Sequence, residues 1–389
     1  MNIAATRPRV APFNAPALAG ALVIATLAFV FAAGHALAAG KSKAPPQLAA
    51  MVTSAVDNTI VPAYQFFADV STRTTGAVAA WCDNPSPALL DAARTAFGGS
   101  VHAWARVQHI RFGPARTDNR WQRIAFLPDP RGVVRRQVAK MMAERAQGLL
   151  TIEAIAEQSA AVQGLPALEL LLYAPAENEA PETLAYRCRL ALAIAGHVQL
   201  LAGNMARDWT RPEGGWRQRL LSAGQGSSDY QSPNEAAAEL VRTLLTGLQI
   251  LREEHLLPWL RAAEAKKTWA GLPFERSGRS RDVVSTEILA LRNLHKALHL
   301  DLVVQELGFK DRSKAWMKGW IASTYDSLER DAKTLVLPSE DNLEALASED
   351  NLKALRRSRF NANGLRQLIG REIAPAAALT IGFNELDGD

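Results

Sequence analysis

The sequence predicts an all-α protein made of two four-helix-bundle-like halves packed together. Long stretches carry apolar residues at spacings of three and four, the period of one helix face. Almost no run alternates apolar and polar residues as a half-buried strand would. Short connections join the long amphipathic stretches, which makes successive helices antiparallel neighbours.

The elements follow in order. AAMVTSAVDNTIVPAYQFFADVSTRTTGAVAAW (49–81) keeps helical spacing throughout, with Pro62 starting or kinking a turn inside it. SPALLDAARTAFGGSVHAWARVQHI (86–110) is a second helix, capped by Ser86 with Pro87 at its first position, and Gly113-Pro114 interrupts the chain after it. WQRIAFLPDP (121–130) reads as a turn region, and 133–163 as helix with a break at Gly148. A long amphipathic helix covers 181–209. The polar, Gly/Ser-rich stretch SAGQGSSDYQSPN (222–234) divides the halves, placed at 48–222 and 232–389. Helical patterns resume over 235–265, 280–308, 314–335 and 344–379, with KKTWAGLPFERSGRS (266–280) as a loop. Trp104, Trp259, Trp316 and Trp320 fall in helical patterns and are expected in the core, with one or two left to line a cleft.

Composition excludes some functions. With 389 residues, 48% of them apolar, the chain can bury a sizeable core as one large or two ordinary domains. The net charge is only +5, and setting aside Arg7 and Arg9 leaves 42 basic against 39 acidic residues. The short basic runs RGVVRRQVAK (131–140) and LKALRRSRF (352–360) alternate with apolar residues, as solvated helix faces do. No localised basic stripe marks a nucleic-acid partner. Walker, Rossmann, Gly-x-Ser-x-Gly and haem-attachment patterns are all missing from the sequence.

The N-terminus reads as an export signal over 1–38. Arg7 and Arg9 form a positive region, Ala17 to Ala33 is apolar, and Ala36-Leu37-Ala38 fits a small-residue cleavage site. Cleavage is expected near Ala38 or Ala39; an uncleaved anchor is the rival, since the apolar run nearly reaches spanning length. No second span follows. The expected location is the periplasm. There, Cys82 and Cys188 would form one disulfide closing a loop of about a hundred residues; two buried free thiols are the alternative.

QGLPALELLLYAP (163–175) carries the resemblance. Gly164-Leu165-Pro166-Ala167-Leu168-Glu169, followed by Leu171-Leu172-Tyr173, resembles the Gly-x-His-x-x-Glu signature of imelysin-like proteins, the peptidase M75 group. HAWARVQHIRFGPA (102–115), LPFERSGRS (272–280) and the terminal IGFNELDGD (381–389) look like further segments of its exported branch. The resemblance spans roughly residues 48 to 389. It implies an exported bacterial protein of two related four-helix bundles, linked in some members to iron uptake and in the founding member to peptidase activity.

The sequence departs from that signature at Pro166, which stands where histidine is expected and has no ligand atom. Two roles for Glu169 stay open. Pro166 favours a helix start, so Glu169 can be a structural carboxylate near a helix N-terminus, with an arginine from 94–111 or 187–207 as partner. Or it can keep a binding role, with His102 and His109, two helical turns apart, as compensating metal ligands for iron or zinc. Trp104, Gly113, Pro114 and Gly164 complete the expected ligand cleft. Weaker metal candidates are His295 with His299, spaced i,i+4, and Glu253-Glu254-His255; Asp387 and Asp389 are too few for a calcium loop.

The leading functional expectation is a non-enzymatic periplasmic binding or accessory protein, linked to iron or other metal acquisition and supplying shape and charge, not bond cleavage. Its partners would be a metal ion or an envelope protein of an uptake system. A non-binding structural or interaction module is the alternative. A metallopeptidase comes third, because it needs an open metal site and a general base.

Overall fold

Helix follows helix because the apolar positions recur every three to four residues and serines or prolines sit where the helices begin. The computed structural model describes residues 46–175, 179–226, 229–269 and 271–381, which belong to one compact unit. The expected signal segment 1–38 and the acidic tail with Asp387 and Asp389 lie outside the described residues. Among the described residues there is no strand, and no helix is long and apolar enough to cross a membrane.

The first group of helices is built from α1 (Pro46–Ala55), α2 (Val61–Asp83), α3 (Pro87–Ala105), α4 (Arg120–Ile124), α5 (Val133–Glu144), α6 (Ile152–Ala156), α7 (Leu165–Leu172) and α8 (Pro181–Thr210). α2 packs on both α3 and α8, and the short α7 packs on α8. Ser86 accepts a hydrogen bond from the Leu89 N–H at 3.3 Å, with Pro87 in the first turn, so α3 starts where its cap predicts. A disulfide joins Cys82 at the end of α2 to Cys188 in α8, with a Cα–Cα distance of 5.3 Å.

The second group follows α9 (Trp216–Leu221). It comprises α10 (Pro233–Ile250), α11 (Leu257–Glu264), α12 (Ser280–Ala297), α13 (Leu300–Lys310), α14 (Met317–Thr334), α15 (Leu343–Leu346), α16 (Glu349–Leu368) and α17 (Ala374–Ala376). α10, α12, α14 and α16 pack around one core, while α3 meets α12 and α1 meets α10. That contact surface is the seam between the groups.

Among the described residues three helical stretches carry a π-helical turn, and each has the same cause. The turns Val56–Ile60, Leu251–Leu256 and Ile369–Ile373 each end two residues before a proline, namely Pro62, Pro258 and Pro375. A proline inside a helix has no N–H and its ring collides with the carbonyl one turn back. Widening that turn relieves the collision and keeps the chain helical, so Pro62 sits in the first turn of α2 behind a distorted turn, as expected.

Several boundaries differ from the sequence expectation. The break expected at Gly148 in 133–163 begins earlier: α5 stops at Arg145, which adopts φ 48°, and α6 restarts behind the Thr151 cap. The 280–308 stretch breaks at His299, at φ 50°, and resumes as α13. His295 and His299 therefore do not share a helix face. Trp104 and Trp259 are buried as expected, but Trp316 is exposed and meets Trp320 edge-on.

Candidate functional site

Glu169 sits on α7, and its surroundings are built from close approaches. Gly164 caps the helix N-terminus in an extended conformation, with Pro166 in the first turn. A Cβ at Gly164 would lie 2.2 Å from the carbonyl oxygen of Ile124, so only glycine lets α7 approach α4 this closely. The C-terminal carbonyls of α7 are held by two arginines. Arg187 Nη1 donates to Leu171 O at 2.6 Å, and Arg94 Nε donates to Leu172 O at 2.8 Å. Cations at this end also complement the helix dipole.

So fixed, α7 presents Glu169 to the loop before α12. Glu169 Oε1 accepts from the Ser277 N–H at 2.8 Å and from the Ser277 hydroxyl at 2.6 Å. Burial pushes its carboxyl up from the ordinary range, while the two Ser277 bonds pull it back part of the way. The partner is a serine 108 residues away, not the arginine expected from 94–111 or 187–207. Arg187 instead pairs with Glu179 at 2.6 Å and lies over the Trp81 ring.

The structure does not bring Glu169, His102 and His109 together. His102 is held by Thr286 Oγ1 at 2.9 Å and Arg106 Nη2 at 3.0 Å, and burial with the Arg106 charge lowers its pKa. α3 ends at Ala105, so His109 lies beyond the helix and shares no face with His102. His109 is buried against Gly247 of α10, with neither ring nitrogen hydrogen-bonded, and burial pulls its pKa down to about 3. Among the described residues no three His, Cys, Asp or Glu side chains are grouped to hold a metal. Pro166 offers no donor and Glu169 is occupied by Ser277, so these residues do not fit a resident iron or zinc ion. Gly113 and Pro114 are buried in a tight turn, with Gly113 against the Trp216 ring.

Another part of the seam holds a small cleft. Trp104, Gln108, Arg111, Trp121, Glu254 and His255 line it, with a volume of about 20 Å³. That is space for one or two water-sized groups. The π-helical turn of Leu251–Leu256 presents both Glu254 and His255. Arg111 crosses from the first group to Glu254 at 3.3 Å and stacks over Trp121, 4.5 Å from the ring centroid.

Behind the cleft, His255 Nδ1 lies 2.7 Å from Glu287 Oε2, with both side chains buried. Burial alone would lower the imidazole pKa, but the Glu287 charge and hydrogen bond more than offset it and raise the net value. The carboxylate fixes the ring through Nδ1, leaving Nε2 free of Glu287. Of the residues expected at the ligand cleft Trp104 lines this one, joined by Glu254 and His255 from the weaker metal candidates. Gln108, Arg111, Trp121 and Glu287 were missed. The available signals were the Glu254-His255 pair and Pro258 just after it, which displaces that helical turn.

Fold and site together define an all-helical protein of two packed helix groups with a polar cleft in the seam. The imelysin family model, peptidase M75, matches residues 60–357, and the chain belongs to that family. It is 27% identical over 205 residues to "Iron-regulated protein A" of Synechococcus elongatus, a match covering 52% of this chain and 52% of that relative. The chain thus spans about half the length of the curated relative it matches. The crystal structure of an imelysin-like protein from Psychrobacter arcticum 273-4 has the same fold. Its TM-score is 0.66 at 19% identity, covering 87% of this chain and 98% of that one.

Proposed function

We propose that this chain is an exported, non-catalytic accessory protein of iron acquisition, working in the periplasm by recognition at the seam cleft. The observation that carries the reading is the engagement of Glu169. A metallopeptidase needs its signature donors free to hold a metal and activate water. Here the carboxylate holds Ser277 by two hydrogen bonds and Pro166 replaces the imidazole. The printed name of the Synechococcus relative supports the link to iron. The positive, apolar and small-residue regions of 1–38 support export. The partner in this reading is an envelope protein of an uptake system.

The test is growth of a deletion strain under iron chelation, with metal analysis of the natively purified mature chain. The expected result is a growth defect that the full-length gene rescues, with no chelator-sensitive cleavage of mixed peptides. Metal-dependent cleavage, or normal growth without iron, would overturn the reading. Stoichiometric iron or zinc that vanishes in Glu169→Ala would return Glu169 to the role of a metal ligand.

A further inference from the structure

The seam cleft holds buried hydrogen-bonding atoms that the protein leaves unused. Gln108 Nε2 and Arg111 Nε are buried without an acceptor. Such orphaned donors are uncommon in folded proteins and call for an explanation. Both belong to side chains that line the cleft, together with His255, whose Nδ1 is already engaged by Glu287. The nearby packing is otherwise tight, with Trp104 buried and Trp121 stacked under Arg111.

We infer that the cleft is a carboxylate-binding site, taking one carboxylate head group between Arg111, Gln108 and His255. A carboxylate is planar, offers acceptors only, and spans about the room available. Arg111 and Gln108 supply donors that lack acceptors, and His255 supplies Nε2 held in place by Glu287. Glu254 sets the limit on charge. It already occupies Nη2 of Arg111, so a second carboxylate entering with the first meets a like charge. The ligand therefore inserts a single carboxylate and keeps the rest of its body outside. It is either a simple organic acid or the free carboxylate arm of an iron chelate.

This inference rests on the seam cleft being the binding site of the proposed function, but its test requires no iron. Titrate the mature chain by calorimetry with acetate, acetamide, citrate and ferric citrate. Acetate is expected to bind saturably in the millimolar range, with acetamide about tenfold weaker because it lacks the charge. Gln108→Leu and His255→Gln should each weaken acetate about tenfold, with circular dichroism reporting that the fold is kept. Ferric citrate binding well above citrate assigns the carboxylate to an iron chelate; equal binding assigns it to a simple acid. No saturable binding of any carboxylate, equal binding of acetate and acetamide, or unchanged binding in both variants would overturn the inference. If carboxylates fail to bind while the deletion strain still needs the gene under iron limitation, the ligand assignment falls and the accessory role stands.

Discussion

Two places in one seam handle buried charge differently. At Glu169 the carboxylate is matched: Ser277 gives it an N–H and an O–H, and the helix that carries it is pinned by Arg94 and Arg187. At the cleft the charges are only partly matched. His255 and Glu287 satisfy each other through one bond, yet Glu287 Oε1, Gln108 Nε2 and Arg111 Nε have no partner. A carboxylate held by two donors stabilises the contact it makes, whereas an incompletely bonded cluster costs stability and leaves atoms able to bind something else. The family's signature position is a clamp in this chain, and the unused bonding capacity lies in the cleft.

The largest expected break in this comparison comes from separating the buried pair. His255→Leu should cost about 3–5 kcal/mol, because it leaves the fully buried Glu287 without its partner. Urea unfolding at neutral pH measures it, and a loss below about 1 kcal/mol would show that the pair contributes little.

Acid tests the seam in a second way. His109 is neutral and buried, with its pKa lowered to about 3. The unfolded chain binds that proton near pH 6.5, so stability is full above that value and is lost as pH falls toward the folded pKa. His109→Leu should remove this loss, gaining about 3 kcal/mol relative to wild type between pH 7 and pH 4. Parallel pH profiles of the two proteins would refute the assignment.

The clamp comes next in size. Glu169→Ala should cost about 1.5–3 kcal/mol, since it removes a charged acceptor from two donors. Amide exchange at Ser277 should rise in the variant, and unchanged protection there would mean that Glu169 does not hold the loop. The sign of its pH dependence also follows. Burial raises the Glu169 pKa, so its contribution is full below the ordinary carboxylate value and falls as pH rises through the raised one. Glu169→Gln should flatten that part of the profile.

The smallest change is the most discriminating. Gln108→Leu removes a buried donor that has no acceptor, so stability should stay within about 0.5 kcal/mol of wild type or rise. A loss comparable to that of Glu169→Ala would mean that the Gln108 amide is bonded in solution and that the two sites are alike.

Residues that act on near neighbours could be read from the sequence. Ser86 with Pro87 marked the start of α3, and Pro166 marked the first turn of α7. Cys82 and Cys188, the only two cysteines, formed the expected bridge. Glu169 was singled out by its motif, but its partner was not, because Ser277 lies 108 residues along the chain. His102 and His109 looked like a pair only while α3 was drawn through Ala105 to residue 110. The break at His299 was hidden, and the one expected at Gly148 was placed three residues late, because neither His299 nor Arg145 is the glycine that usually marks a positive φ.

The sequence by itself determined the helical class, the starts of several long helices, the family signature and the departure at Pro166. Periodicity, caps and prolines act within one or two turns, and a linear reading captures that range. Only the tertiary structure decided that Glu169 clamps a loop, that His102 and His109 are held apart, and that Arg111, Glu254 and His255 share a cleft. Those contacts join residues more than a hundred positions apart, and their geometry is set by how whole helices pack.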